Sequence, residues 1–188
     1  MKMGLFRAGS WLLDLDGDGR WNPSKDQVSQ FGGAGDIPVI GDWDQTGVLR
    51  IGVFRQGVWL LDIDGDLRWE PNRDKVLRFG DPGDTPVVGD WSSDGRVNVG
   101  VFKNGRWMLD TDGDGIWDPA RDKDVQFGAP GDLPVVGNWD GLGHLRIGVF
   151  RKGAWLVDMN GNLRWDGVDV DRTFTFGGPS DQPIAACW

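Results

Sequence analysis

The apolar residues of this chain fall in short bursts. Within residues 79–128, "TPVVGDW", "VNVGVFK", "GRWMLDT" and "DVQFG" are rich in Val, Phe and Trp, and Gly, Asp and Pro bound them. Such bursts predict four short strands. No segment carries a convincing helical period. Strand, turn and strand at this spacing make an antiparallel meander.

The same meander returns along the chain. Trp11, Trp59, Trp107 and Trp155 stand 48 residues apart, as do Trp21, Trp69, Trp117 and Trp165. Trp43, Trp91, Trp139 and Trp188 follow the same step with one extra residue in the last interval, so all 12 tryptophans belong to three classes. Phe6, Phe54, Phe102 and Phe150 repeat too, and so do Phe31, Phe79, Phe127 and Phe176 of the "FG" pairs. The approximate units are 1–49, 50–97, 98–145 and 146–188. One four-stranded unit of this size cannot bury both faces alone, so it stacks on copies of itself. The expected fold is all-β: a single β-propeller domain of four blades of about 48 residues each.

"MGLFRAGSW" aligns with "RIGVFRQGVW", and the final "QPIAACW" aligns with "TPVVGDW". A last strand near 182–188 is therefore expected to pair with three strands near 3–31 and close the ring, leaving no bare edge. A solenoid, the alternative, would need atypical capping units.

Charge changes the picture. The 188 residues carry a formal net charge of −9, which disfavours a nucleic-acid partner. No apolar run approaches a membrane span, so no membrane insertion is expected. The start has no signal-peptide pattern, and the one cysteine, Cys187, permits no internal disulfide.

The acids are not scattered. "DLDGDGRWN", "DIDGDLRWE", "DTDGDGIWD" and "DMNGNLRWD" occupy equivalent places in the four units. Oxygen side chains recur at positions 1, 3, 5 and 9, and position 7 offers a backbone carbonyl, which is the ligand spacing of a calcium loop. The candidate ligands are Asp14, Asp16, Asp18, Arg20 and Asn22; Asp62, Asp64, Asp66, Arg68 and Glu70; Asp110, Asp112, Asp114, Ile116 and Asp118; and Asp158, Asn160, Asn162, Arg164 and Asp166. The arginines and the isoleucine enter through their carbonyls. Four Ca²⁺ ions would move the formal charge from −9 to −1 (−9 + 8). Glycine at position 6 allows the sharp turn; Leu67 and Leu163 stand there instead, at a strain on the order of 1 kcal/mol. The loop at Asp158, with two acids, is expected to bind most weakly. The alternative is a set of Asp/Gly-rich turns with solvated carboxylates.

A second series follows the "PVVGDW" bursts. "DWSSDGRVN" offers Asp90, Ser92, Asp94 and Asn98 at positions 1, 3, 5 and 9. Its relatives carry Arg50 and Arg146 at position 9. Each arginine is expected to replace an ion, pairing with Asp42 or Asp44 and with Asp140. In a four-stranded meander both loop series lie at one end of the sheet.

The stretch "FGDPGDTPVVGDWSSDGRVNVGVFK" (79–103) resembles the FG-GAP repeat of integrin α-chain propellers and their bacterial relatives. It has the "FG", the Gly-Pro-type turn, the "GDW" strand, the D-x-S-x-D-G-x-x-N cage and the "GVF" strand in that order. The likeness recurs in all four units, though these are shorter, four in number, and two cages are broken. It implies a calcium-stabilised propeller, secreted or at a cell surface, that serves adhesion or ligand binding. The family cage maps onto Asp90, Ser92, Asp94 and Asn98.

Three functions follow. The first is a non-enzymatic binding, adhesion or scaffold module held by calcium, with a protein or carbohydrate ligand and room for oligomers. The second is a multivalent lectin, which would need exposed Trp11-class or Trp43-class rings for sugar stacking. The third, a glycosidase-type enzyme, needs carboxylates in distinct roles. His144 and Cys187, which break the repeat, show no catalytic partner in the sequence, so no enzyme is expected.

Overall fold

The computed structural model describes residues 3–185. It is all-β, with 15 strands in four antiparallel sheets and no helix among the described residues. The chain divides into two compact units, 1–78 and 79–188.

The first unit holds two sheets. One is β1 (Gly4–Arg7), β2 (Ser10–Leu13) and β3 (Gln27–Gln30), in that order. The other is β4 (Ile37–Gly41), β5 (Arg50–Arg55), β6 (Val58–Leu61) and β7 (Lys75–Arg78), again in chain order. The second unit repeats the four-stranded meander twice. Its first sheet is β8 (Thr85–Gly89), β9 (Asn98–Lys103), β10 (Arg106–Leu109) and β11 (Lys123–Gln126). Its second is β12 (Leu133–Gly137), β13 (Arg146–Arg151), β14 (Ala154–Val157) and β15 (Arg172–Thr175). Register is preserved between copies: Phe6, Phe54, Phe102 and Phe150 face Trp11, Trp59, Trp107 and Trp155 across their strand pairs.

The expected closing strand at 182–188 is not seen. Gln182–Ala185 carries no strand, residues 186–188 lie outside the described residues, and among the described residues β1 has only β2 as a neighbour.

Two aromatic contacts build each core. Within a sheet, Phe6, Phe54 and Phe102 meet their tryptophans edge-on at 5.0 Å, and Phe150 meets Trp155 at 5.4 Å. Between sheets of one unit, the "FG" phenylalanine takes the tryptophan of the next Asp-rich loop. Phe31 and Trp69 do so at 6.0 Å in the first unit, and Phe127 and Trp165 at 6.2 Å in the second. The "GDW" tryptophans fold back over their own strand. A Cβ on Gly41, Gly89 or Gly137 would stand 2.4–2.6 Å from the ring of Trp43, Trp91 or Trp139, so these three positions call for glycine.

The hairpins β5–β6 and β13–β14 turn through two left-handed residues. Gln56 (φ 49°) precedes Gly57 (φ 86°), and Lys152 (φ 51°) precedes Gly153 (φ 96°). A two-residue hairpin of this kind favours Asn-Gly, which Asn104–Gly105 supplies in β9–β10. Replacing both Gln56 and Lys152 by Asn is expected to stabilise the fold by about 1 kcal/mol in total, since Asn tolerates this region better. Chemical denaturation checks it, and an unchanged midpoint would count against it.

Candidate metal centres

Each Asp-rich loop is organised from its first residue. Asp14 accepts the Gly17 and Gly19 amides at 2.7 and 3.1 Å. Asp62 accepts Gly65 and Leu67 at 2.7 and 3.0 Å, Asp110 accepts Gly113 and Gly115 at 2.8 and 2.9 Å, and Asp158 accepts Gly161 and Leu163 at 2.7 and 2.8 Å. Position 5 takes the amide of position 7, so Arg20, Arg68, Ile116 and Arg164 donate at 2.7–3.0 Å. Part of the negative charge is thus met by backbone N–H groups.

Position 6 is left-handed in all four loops: Gly19 at φ 73°, Leu67 at 65°, Gly115 at 74° and Leu163 at 64°. The expected strain at the leucines is real, but their side chains also pack against the cores of their units. Burial of that kind offsets strain on the order of 1 kcal/mol.

A further aspartate staples each loop shut. Asp26 accepts Leu15 and Asn22 at 3.1 and 2.6 Å, and Asp122 accepts Thr111 and Asp118 at 2.9 and 2.8 Å. Asp74 holds Ile63 and Glu70, and Asp171 holds Met159 and Asp166, in the same manner. These residues were not singled out from sequence, although the repeat marks them: Asp26, Asp74 and Asp122 are also 48 residues apart.

Three groups of carboxylates converge, each with oxygens within 4.8 Å of one another: Asp14, Asp16 and Asp18; Asp62, Asp64 and Asp66; and Asp110, Asp112 and Asp122. Asp122 completes the third group where Asp114 was expected. Position 9 behaves differently from the expectation. Asn22 accepts from the Ser24 backbone and hydroxyl, Glu70 pairs with Arg73 at 3.0 Å, and Asp118 accepts the Ala120 amide at 2.9 Å. In the fourth loop, Asp166 accepts from the Asn160 and Asn162 amides and pairs with Arg164 at 2.9 Å. That loop forms no group of three acids among the described residues.

Each convergent group also has a basic neighbour. Lys25 lies 2.9 Å from Asp16, Arg73 2.5 Å from Asp64 and Arg121 2.6 Å from Asp112. These cations come from position 12, where a calcium loop of the standard type would place a bidentate acid. They hold the Asp16 and Asp112 carboxyls below the usual range. The first-position acids behave in the opposite way. Burial raises Asp62 and Asp158, and pushes Asp110 up to about 6, against the lowering effect of its amide donors. Asp110 is 1% exposed, so it faces little water.

The second loop series touches the first in each of the three four-stranded sheets. A Cβ on Gly65, Gly113 or Gly161 would meet Arg50, Asn98 or Arg146 respectively. Arg50 pairs with Asp44 at 2.5 Å and Arg146 with Asp140 at 2.6 Å, the pairing expected of residues that stand in for an ion. Asp90 accepts the Asp94 and Gly95 amides at 3.1 and 2.8 Å, and Asn98 donates to the Thr111 carbonyl at 3.4 Å. Asp94 is held below its ordinary value by the Arg96 amide, then by Ser92. Arg50→Asp places an acid where the guanidinium now sits. It is expected to add one calcium-binding event in titration calorimetry; uptake equal to that of the wild type would contradict the substitution of ion by arginine.

Of the Trp11 and Trp43 classes, Trp43, Trp139 and Trp155 are half-buried. Trp11, Trp59 and Trp107 are buried, and Trp91 lies under its own loop at 8% exposure. Trp188 and Cys187 lie outside the described residues. His144 is exposed, 3.8 Å from Asp140. Among the described residues, no helix is long and apolar enough to cross a membrane. Comparison with family models, curated proteins and solved structures finds no match.

The donor set fits a hard divalent cation: carboxylate oxygens at close quarters, with no sulfur or imidazole among them.

Proposed function

We propose that this chain is a calcium-binding, calcium-stabilised β-propeller module that acts outside the cell as a non-enzymatic scaffold or adhesion surface. The four sheets are its blades, and the convergent loops are its ion sites. The observation that carries the reading is Asp110. Burial outweighs its two amide donors and, with the nearby Asp122 and Asp112 charges, pushes its carboxyl up to about 6, so its charge is under-compensated. A divalent ion held with Asp112 and Asp122 would compensate it.

Arg73, Arg121 and Lys25 compete with the ion for the same oxygens. They keep the loops ordered at low calcium and make the sites weak, which suits the millimolar calcium of an extracellular setting. The structural symmetry speaks for a binding module, because catalysis needs residues in different roles.

Metal analysis of protein dialysed against 1–5 mM CaCl₂, about the concentration at which weak extracellular modules load, tests the reading. Uptake of three ions, one per convergent group, is expected. Arg121→Ala should tighten one of these sites severalfold. No uptake by either protein would reduce the loops to ordinary turns.

A further inference from the structure

The last sheet ends in an uncovered face. Phe31, Phe79 and Phe127 are 1–2% exposed, whereas their counterpart Phe176 is 79% exposed. The glycine after each phenylalanine tells the same story. A Cβ on Gly32, Gly80 or Gly128 would lie 2.6–2.9 Å from Val53, Val101 or Val149, each from the strand pair that follows, whereas one on Gly177 would meet only Asp181 of its own turn. A cavity of about 460 Å³ opens there beside Trp155 and Phe176.

The first sheet is bare in the complementary places. Stepping back one repeat from Trp69 and Val53 gives Trp21 and Leu5, which are 53% and 65% exposed. The ion pairs follow suit. Arg55 pairs with Asp36, Lys103 with Asp84 and Arg151 with Asp132, whereas their counterparts Arg7 and Asp181 have no ion-pair partner among the described residues. Among the described residues, Gln182–Ala185, the counterpart of β4, β8 and β12, forms no strand, and β1 pairs on one edge only, leaving open the edge where such a strand belongs.

We propose that the Phe176 face receives the first sheet of a second copy of this chain. Trp21 of that copy covers Phe176, its Leu5 fills the space over Gly177, its Arg7 pairs with Asp181, and its β1 edge accepts 182–185 as a fourth strand. The junction is head-to-tail and heterologous, and the smallest assembly in which every copy has both faces covered has two copies. It joins surfaces that the repeat already joins inside each unit, so it needs no new chemistry. The inference goes beyond the calcium reading and stands or falls apart from it.

Mass measurement by light scattering tests it, on the full chain between about 1 and 100 µM, the range in which weak and tight junctions separate, in calcium and in EDTA. About twice the 20.8 kDa of one chain is expected. Trp21→Ser and Phe176→Ser each change an exposed residue, so each is expected to keep its far-ultraviolet dichroism while falling to single-chain mass. Mixing the two variants leaves one intact junction and is expected to restore the doubled mass. Single-chain mass for the wild type at every concentration overturns the proposal, as does a mixture that stays at single-chain mass. Association that persists without calcium uptake leaves the junction standing and counts only against the ion sites.

Discussion

Trp107→Ala is expected to cost about 4 kcal/mol of unfolding free energy, the range for an aromatic removed from a sealed core. Trp107 is fully buried, meets Phe102 edge-on at 5.0 Å and donates to the Phe127 carbonyl at 2.8 Å. Phe127 is in turn sealed beneath Trp165, so the cavity cannot collapse from outside. The equivalent Trp155→Ala should cost about half as much in the isolated chain, because the space beside Trp155 already opens to water and can refill with it. Urea unfolding of the two variants makes the comparison. Equal losses would contradict the view that cover from the next sheet, rather than the Phe–Trp pair itself, sets the stability of each blade.

Asp110→Asn should change the pH dependence of the fold. The folded carboxyl is raised to about 6, so the folded state holds its proton more tightly than the unfolded chain does. The stability from this group is in full below its ordinary value of 3.8 and is lost as pH rises through about 6. In EDTA, the wild type should therefore lose stability relative to Asp110→Asn between pH 4 and 7, by on the order of 3 kcal/mol. Denaturation of both proteins across that range checks the sign and the size. A difference that does not vary with pH would mean that the buried carboxylate is already compensated, leaving no demand for a cation.

Much of this molecule is legible in its sequence because the repeat copies each local decision four times. The strand bursts of 79–128 land on β8 to β11, and the left-handed turn at position 6 is marked by Gly19 and Gly115. What escaped was of three kinds. Asp26, Asp74, Asp122 and Asp171 lie beyond the nine-residue loop and act on its backbone from outside, so a ligand template passes over them. Lys25, Arg73 and Arg121 fold back onto acids nine residues earlier, which depends on the turn between them rather than on spacing alone. Leu67 and Leu163 carried two opposed effects, and only the strain was readable without knowing where the side chains pack.

The place of Trp21 also depended on a neighbour. Its class folds inward where the preceding sheet supplies a phenylalanine, as for Trp69 and Trp165, and stands exposed where none is supplied. Sequence periodicity makes all four alike; the environment separates them.

Thermal unfolding of one preparation, in excess CaCl₂ and in EDTA at pH 7.5, is the most direct test of the central claim. Each occupied site adds about 2.7 kcal/mol at a hundredfold excess over its dissociation constant, and each kcal/mol moves the midpoint of a chain this size by about 2–4 °C. A rise of at least about 5 °C in calcium, reversed by chelation, is the expected result. Superimposable melts in the two buffers would contradict it.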